Sequence, residues 1–451
     1  MKSYPTIIIH GTEQSEVFLH DEHGNIVLDE NERPIRGWPP KNLDMKPLIG
    51  KALPRLLGSL VFRCDVGLTK LARHAVESFL AEFRHDERGR HRRNMQVVRI
   101  HRMNGRDKAP TSMADVPEAT RDYAYRQVPL HSLAASGEGR LYYFAYDTFG
   151  NHIDAIDELY QLIQDVLKKH NAGKVNLLPI SLGCTVMNAL AEYYPQVYSQ
   201  LNNVVYIVPA FNGSMIVGDI FCKRLTVYNK KHRHELLLKY TGKQLSAAIG
   251  LLPEWLVYKG IGAMLDAIVG NLLNRATMIW ALLPKEDYPE AKKLWLGDPA
   301  LHEIARQTDR YYQAQMNAVK NIKAMQQQGV RLYNINEYNI PLPRLVNSRA
   351  THNADGVIDL FSTSMGAASG YVDTPLPNSY LEKADPKYIS PDGIVDASTG
   401  ALPDTTFYLK DVHHHKTSKN EALGPLVARL VAAQEPETVF TLEQEGYRQF
   451  M

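Results

Sequence analysis

Ser181 is the residue of this sequence whose surroundings point most directly to chemistry. The stretch LLPISLGCTVMNAL, from Leu177 to Leu190, predicts a strand, a tight turn with the serine at its tip and then a helix. Such a turn exposes a serine hydroxyl for attack on an acyl carbon, and Gly183 fits the pattern two positions later. Pro179, two positions earlier, departs from the glycine of the GxSxG form. The alternative is a serine that only caps the following helix.

A nucleophilic serine needs a base to take its proton, and the base needs an acid to hold it in place. Asp355 lies in an Asn-Ala-Asp-Gly turn downstream of the strand-like RLYNINEY. His413, His414 and His415 follow the strand-like TTFYLKDV, so acid and histidine both come after the serine in the required order. The residues themselves leave open which histidine is the base. Taken alone, the Asp-Gly turn is also typical of a plain Asx turn, and the triple histidine of a solvated loop.

Acyl transfer also requires backbone N–H donors for the oxyanion. Leu182, directly after the serine, offers one amide, and Thr12, in IIIHGT near the start of the chain, offers a second. The neighbouring His10 is interpreted as a structural loop residue rather than a base. Consecutive residues of an extended chain point to opposite faces, so the three histidines are not expected to bind a metal ion.

The elements that would position these residues alternate between strands and helices. PTIIIHG, LYYFAYD, KVNLLPI and VVYIVPA predict buried strands, and HIDAIDELYQLIQDVLKKH and ISLGCTVMNALAEYY predict helices between them. This alternation predicts an α/β fold with a mostly parallel sheet and helices on both faces. We predict a single domain over residues 1–451, with an insertion at about 20–125 and a mainly helical cap at about 213–328.

The composition is that of a soluble globular protein. Of 451 residues, 44% are hydrophobic and 22% charged, and the net charge of +2 indicates no particular partner. Three cysteines without metal-ligand spacing and a start without a long apolar run predict a cytoplasmic protein. Charged residues interrupt Leu251–Pro284, which therefore predicts amphipathic helices rather than a membrane span. No P-loop or dinucleotide glycine motif is present, and no cofactor is expected.

Two further segments allow more than one interpretation. The basic segment from Phe83 to Lys108 would suit anionic phospholipid headgroups or nucleic acid, but its interspersed acidic residues and lack of stacking aromatics favour a solvated insertion. Trp255, Trp280 and Trp295 would either pack the cap on the core or line an acyl-chain groove.

The sequence resembles the family of lecithin:cholesterol acyltransferase and its lysosomal phospholipase relative, in a bacterial-type branch of the α/β-hydrolases. The resemblance is carried by IIIHGTEQSEVFL, YDTFGN, LLPISLGCTVMNAL, IVPAFNGS and ADGVIDLFS, whereas the insertion and the cap are not matched. It implies an α/β-hydrolase fold with Ser181 as nucleophile, Asp355 as acid and one of the histidines as base. The family's spacing to Asn420 favours His414, with His413 as second choice, and Thr12 and Leu182 inherit the oxyanion role.

The sequence departs from the family pattern at three places. Pro179 replaces a small residue, Ile180 replaces a histidine, and YDTFGN lacks the tryptophan and arginine that follow its aspartate in the animal enzymes. The first two would alter the packing of the serine turn, and the third would alter contacts to substrate. None removes Ser181, Asp355 or a histidine.

The function expected from these residues is hydrolysis of carboxylic esters of lipid-like substrates through a Ser-Asp-His triad and an acyl-enzyme. One alternative is a lipid O-acyltransferase that uses the same triad, and another is a non-catalytic protein that binds a membrane or partner. We expect a small-molecule or lipid ester as substrate, peripheral membrane contact through the cap or the basic segment as a candidate interaction, and no nucleic acid. The oligomeric state is not predicted.

Overall fold

The longest apolar runs of the sequence pair with one another in a central sheet. The computed structural model describes residues 4–38, 46–80, 83–105, 108–128, 131–134, 137–225, 253–343 and 351–451. The described strands are, in chain order, β1 (Thr6–Ile9), β2 (Val17–Leu19), β3 (Arg36–Trp38), β4 (Met95–Val97), β5 (Leu141–Phe144), β6 (Val175–Pro179), β7 (Leu201–Ile207), β8 (Arg331–Tyr338), β9 (Ile340–Pro341), β10 (Asn353–Ala354), β11 (Ala368–Ser369), β12 (Val395–Asp396) and β13 (Thr406–Lys410).

The central sheet contains six strands in the order β13-β8-β7-β6-β1-β5, and every neighbouring pair is parallel. The carboxyl ends of all six strands therefore meet at one edge, where residues from distant parts of the sequence come together. The predicted strands at the start, the middle and the end of the chain all belong to this sheet.

Helices surround the sheet and supply most of its core. The described α-helices are α1 (Lys46–Phe62), α2 (Leu68–Leu80), α3 (Glu118–Gln127), α4 (His131–Ala134), α5 (His152–His170), α6 (Gly183–Tyr193), α7 (Met215–Phe221), α8 (Glu254–Asn271), α9 (Thr277–Trp280), α10 (Tyr288–Trp295), α11 (His302–Gln327), α12 (Leu360–Thr363), α13 (Asn378–Leu381), α14 (Leu423–Ala432) and α15 (Val439–Leu442).

Alternate residues of β1, β5, β6 and β7 enter two separate apolar cores. Ile7 and Ile9 of β1 pack with α5, α6 and α11 on one face. Ile8, between them, packs with α3 and α14 on the other face. Because side chains of a strand alternate between faces, a strand that is apolar at every position is buried on both sides. The predicted fold class, a mostly parallel sheet with helices on both faces, is confirmed.

Two long excursions leave the sheet. The first, between β1 and β5, contains the small antiparallel sheet β3-β2-β4 and the helices α1 and α2. The second, between β7 and β8, is helical throughout its described part and holds α7 to α11, while 226–252 of the predicted cap lie outside the described residues. Helix α2 of the first excursion packs against α8 of the second. The boundaries drawn from the sequence, at about 20–125 and 213–328, stay predictions.

Helix α8 differs from the amphipathic helices expected over Leu251–Pro284. Together with the turn up to Arg275 it is long and apolar enough to cross a membrane by length and composition, and only 22% of its most apolar window is buried. Glu254, Lys259 and Asp266 interrupt its sequence, but most of its remaining residues are apolar or glycine. The helix therefore has no extended polar face of the kind that the sequence interpretation assumed.

Candidate functional site

The sequence around Ser181 forms the sharp turn that was predicted. Ser181 lies in the short turn between β6 and α6, and its backbone φ of 51° lies in the left-handed region that non-glycine residues seldom adopt. Its backbone N–H donates to the Ile207 carbonyl at 3.0 Å, and its carbonyl accepts from Cys184 and Ala210 at 3.0 and 3.1 Å. The unfavourable conformation is thus maintained by hydrogen bonds to β7 and α6.

Gly183 explains how α6 passes so close to the sheet. A Cβ atom at this position would lie 2.3 Å from the carbonyl oxygen of Ile9 in β1, so only glycine fits. Pro179 is the last residue of β6 and pairs with Ile9, and the backbone hydrogen bond from Ile180 N–H to the Ile9 carbonyl follows at 2.9 Å. The close approach therefore depends on Gly183, and proline at 179 is compatible with the turn.

The loop after β13 brings His414 to Ser181. His414 Nε2 lies 3.0 Å from Ser181 Oγ, and its Nδ1 lies 2.7 Å from Asp355 Oδ2. The backbone N–H of His414 donates to the Asp355 carbonyl at 2.8 Å, so the acid holds the histidine at two points. Asp355 is fully buried, and its other carboxylate oxygen accepts from the amides of Val357 and Ile358 at 2.9 and 2.7 Å.

The charge of Asp355 changes the acidity of His414. Burial opposes protonation of the imidazole, but the attraction and hydrogen bond of the Asp355 carboxylate outweigh it and, with Glu337, raise the pKa of His414 above 6.5. A carboxylate bonded to Nδ1 also favours the tautomer whose Nε2 is free to accept the serine proton. This is the arrangement of a general base next to a nucleophile.

The other two histidines of the run have different surroundings. The His413 ring stacks on His415 at 5.3 Å between centroids and lies over Gly356, where a Cβ atom would be 2.5 Å from the ring. Burial, and then the neighbouring His415, lower the pKa of His413. Of the three candidates it is His414 that contacts Ser181 and Asp355, and the second choice His413 packs behind the acid turn.

The backbone donors expected for an oxyanion lie in the two predicted turns. Among the described residues, the amides of Leu182 and Thr12 donate to no protein acceptor, whereas the adjacent amide of Gly183 donates to the Ile180 carbonyl at 2.7 Å. The amide of Gly11 is likewise occupied, since it donates to Gln14 Oε1 at 2.7 Å. The oxyanion role of Leu182 and Thr12 stays a prediction.

His10 is a buried structural residue. Its Nδ1 donates to the Gly11 carbonyl at 2.6 Å, and its Nε2 accepts from the Tyr146 amide at 3.2 Å. The ring stacks on Tyr146 at 4.3 Å between centroids. Burial lowers the pKa of His10 to about 4, so the imidazole is neutral and both nitrogens are engaged.

The segment AFNGS after β7 anchors the acid turn, a role that its sequence did not reveal. Ser214 Oγ donates to the Val357 carbonyl at 2.8 Å, and Ser362 Oγ donates to the Gly213 carbonyl at 2.7 Å. The amide of Met215 donates to Asp359 Oδ2 at 3.2 Å. The two ends of the acid turn are therefore fixed to the start of the cap.

Glu337, at the end of β8, was also not identified from the sequence. It is fully buried, and its carboxyl lies in a group with Asp355 and His414 whose ligand atoms are within 4.8 Å of one another. Such a group has the donors for a metal ion. However, Asp355 and Ser181 already engage both nitrogens of His414, so the arrangement fits a proton-transfer site better than a metal site.

The basic segment of the insertion is anchored to α5 by ion pairs. Arg90 makes two hydrogen bonds of 2.8 Å to Asp154, Arg99 pairs with Glu158 at 2.8 Å, and Arg102 pairs with Asp165 at 2.6 Å. A cavity of about 520 Å³ lies between this segment and α5. The pairing favours a structural role for these arginines over binding of anionic headgroups. Residues 106 and 107 of the segment lie outside the described residues.

The central sheet carries a strained serine turn and a close-packed helix after β6, an acid in the segment after β8 and a histidine after β13. These features together define one architecture. The fold is that of an α/β-hydrolase. No family model matches the sequence, and no curated protein matches it. The narrower resemblance to the lecithin:cholesterol acyltransferase family stays a prediction.

Several solved structures are distantly similar to this protein. The structure of the Tle4–Tli4 complex aligns with a TM-score of 0.34 and 10% identity, over 95% of this chain and 97% of that one. Phospholipase PlaB from Legionella pneumophila aligns with a TM-score of 0.30 and 11% identity, over 68% of this chain and 55% of its own. MGS-M2, an alpha/beta hydrolase enzyme from a Medee basin deep-sea metagenome library, aligns with a TM-score of 0.27 and 10% identity, over 71% of this chain and 87% of its own. Likenesses at this level bear on neither substrate nor activity.

The contact between Gly183 and Ile9 leads to a stability prediction. The variant Gly183→Ala forces a methyl group against the Ile9 carbonyl, and we expect it to lower the free energy of unfolding by about 1–3 kcal/mol. Denaturant unfolding followed by circular dichroism measures the change. Gly173→Ala is the matched control, because a Cβ at Gly173 meets no atom of the described residues within 4 Å. Equal stability of the two variants would contradict the close approach.

Proposed function

We propose that this α/β-hydrolase is a serine hydrolase that cleaves carboxylic esters of lipid-like substrates through an acyl-enzyme. The observation that carries the proposal is the continuous series of contacts from Ser181 Oγ through His414 to the buried carboxylate of Asp355, at 3.0 and 2.7 Å. These distances are those of a nucleophile within reach of its base and of a base held by an acid.

In the proposed reaction His414 Nε2 takes the hydroxyl proton as Ser181 Oγ bonds to the acyl carbon. The carbonyl oxygen becomes an oxyanion, which the amides of Leu182 and Thr12 would stabilise. The imidazolium, stabilised by Asp355, then gives its proton to the alkoxy oxygen as the bond to the alcohol breaks. A water molecule repeats the sequence on the acyl-enzyme, so that the acid is released and Ser181 regains its proton.

A lipid-like substrate is supported by an apolar surface at the end of α1. Val61 and Phe62 are 75% and 70% exposed, and Leu57 and Val66 are also exposed. The mostly apolar α8 packs in the same helical layer, against α2. Exposed apolar residues of this size, next to the exposed cations Arg55, Arg63 and Lys70, suit insertion into an anionic lipid surface. We therefore assign peripheral membrane contact to this layer rather than to the basic segment from Phe83 to Lys108.

The nucleophile is tested by labelling with a fluorophosphonate probe. We expect covalent labelling of the folded protein that is lost in Ser181→Ala and reduced about 10³-fold or more in rate in His414→Ala. His413→Ala is the matched control and should retain labelling, since His413 contacts neither Ser181 nor Asp355 through a hydrogen bond among the described residues. Absence of labelling in the folded wild type, or loss of labelling only in His413→Ala, would refute the assignment.

The raised pKa of His414 leads to a prediction of pH dependence. The imidazole acts as a base only when neutral, so kcat/KM on a soluble ester should fall as pH is lowered, with a midpoint above 6.5. In Asp355→Asn the carboxylate is absent, and we expect the midpoint to move to lower pH and the plateau to fall by about 10³- to 10⁴-fold. A midpoint that is unchanged by Asp355→Asn would show that another group sets the acidity of the base.

The apolar surface is tested by comparing soluble and aggregated substrates. The double variant Val61→Asp, Phe62→Asp should lower the hydrolysis of vesicle-bound ester by roughly tenfold, because apolar contact with the lipid is lost. Its kcat/KM on a soluble short-chain ester should be unchanged. The matched control is Ile26→Asp, Leu28→Asp, whose parent side chains are 42% and 51% exposed and belong to none of the helices α1, α2 and α8. Equal effects of the two double variants on vesicles would exclude a specific docking surface.

A further inference from the structure

Glu337 lies beside the proposed site without a hydrogen-bonding partner of its own. It is the penultimate residue of β8, it is fully buried, and it pairs in register with Leu409 of β13, whose side chain belongs to an apolar core. Neither carboxyl oxygen makes a hydrogen bond to a described residue. An isolated carboxylate at such a position would be strongly unfavourable, whereas a neutral carboxylic acid is tolerated.

Burial, more than the neighbouring groups, favours the neutral form of Glu337. Asp355, directly after β10, and His414, on the loop after β13, are the ionisable groups that face it. The Thr417 hydroxyl adjoins it, but that hydroxyl donates its single proton to the His414 carbonyl at 2.7 Å. Thr417 can therefore offer Glu337 only an acceptor, which suits a protonated carboxyl. Burial raises the pKa of Glu337 to about 8; Asp355 adds to this rise, whereas Thr417 and His414 oppose it.

We infer that Glu337 is a positioning residue of the proposed site, acting on Ser181 through His414. In its neutral form it lies against the Asp355–His414 pair without adding charge. When it loses its proton to solvent, a second negative charge within 4.8 Å of the imidazole makes His414 a stronger base. The inference rests on the proposed hydrolase function for its effect on rate, but the protonation state of Glu337 can be tested without turnover.

The effect on rate appears in the pH profile of kcat/KM for a soluble short-chain ester. We expect the wild type to show two rising steps, the first from His414 and the second near pH 8 from Glu337. Glu337→Gln imitates the neutral acid, so it should match the wild type within a factor of about two at acidic pH and lack the second step. Above about pH 9 the wild type should exceed the variant by roughly three- to tenfold.

A matched control tests whether the second step of the pH profile is lost specifically with Glu337 or with the removal of any carboxylate. Glu421→Gln makes the same chemical change at an exposed residue of the loop that follows His414, and it should keep the second step. The inference is overturned if Glu337→Gln keeps the second step. It is also overturned if Glu337→Gln lowers kcat/KM by one factor at every pH, which a purely structural role would produce.

The neutral acid itself is observed by infrared spectroscopy of the Ser181→Ala protein, in which no turnover occurs. We expect the carbonyl stretch of a neutral carboxylic acid to persist at neutral pH, to disappear near pH 8 and to be absent when Glu337→Gln is added. The buried Asp359 is distinguished by pH, because burial raises its pKa only to about 6. If no such band titrates near pH 8 in the Ser181→Ala protein, the inference fails whether or not the Glu337→Gln variant folds.

Thermal unfolding gives a second measurement that needs no substrate. Because the pKa of Glu337 is higher in the folded than in the unfolded chain, its contribution to stability is present at acidic pH and is lost as pH rises through about 8. A glutamine at this position does not titrate, so the stability of Glu337→Gln does not fall in this way as pH rises. The Tm of the variant relative to the wild type should therefore rise between about pH 5 and pH 9. A constant difference would overturn the inference. Titration of Glu337 in a protein without esterase activity would refute the proposed function alone.

Discussion

The proposed site depends on the two-point contact between Asp355 and His414. The carboxylate meets Nδ1 at 2.7 Å, and the carbonyl of the same residue accepts the backbone N–H of His414 at 2.8 Å. This pairing selects one ring from a run of three histidines on an irregular loop and fixes its orientation toward Ser181. Further hydrogen bonds hold the Asp355 carboxylate in place, because the amides of Val357 and Ile358 donate to its second oxygen. Ser214 and Ser362 tie the same turn to the segment after β7.

The central sheet and the proximity of Ser181, Asp355 and the histidine run could be predicted from the sequence because their signals are local or follow from chain order. Helix α5 has an asparagine cap, Asn151, at its start and basic residues in its last turn, and its structural bounds coincide with the predicted segment. Ser181, Asp355 and His414 each follow a strand of a parallel sheet, and the carboxyl ends of such strands meet at one edge. The order of the strands along the chain was therefore enough to bring Ser181, Asp355 and the histidine run together, whereas the choice of His414 came from the family resemblance.

The remaining features depend on contacts between distant segments, which periodicity does not specify. Helix α2 shows an apolar face in its sequence, but nothing there indicates that its partner is α8, far along the chain. The charge of the segment from Phe83 to Lys108 suggested solvent or an anionic ligand. Three of its arginines instead find their partners on α5, at Asp154, Glu158 and Asp165. Glu337 was overlooked because a single carboxylate in RLYNINEY is indistinguishable from one on an exposed strand face until the loop after β13 covers it.

Two buried carboxyl groups next to one imidazole impose a limit on the charge that the site can hold. Asp355 has partners for both of its oxygens, so it can bear a negative charge in a buried position, whereas Glu337 has none among the described residues. Asp355 and Glu337 are both carboxylic acids, and they differ in their hydrogen bonds. We infer from this difference that Asp355 holds His414 as a charged group, whereas Glu337 lies beside the pair as a neutral one. A neutral Glu337 also leaves the single charge of Asp355 to stabilise the imidazolium of His414 at neutral pH, as the proposed proton transfer requires. The same polypeptide environment therefore gives two acids of nearly equal intrinsic strength different hydrogen-bond partners and, by the inference drawn for Glu337, different roles.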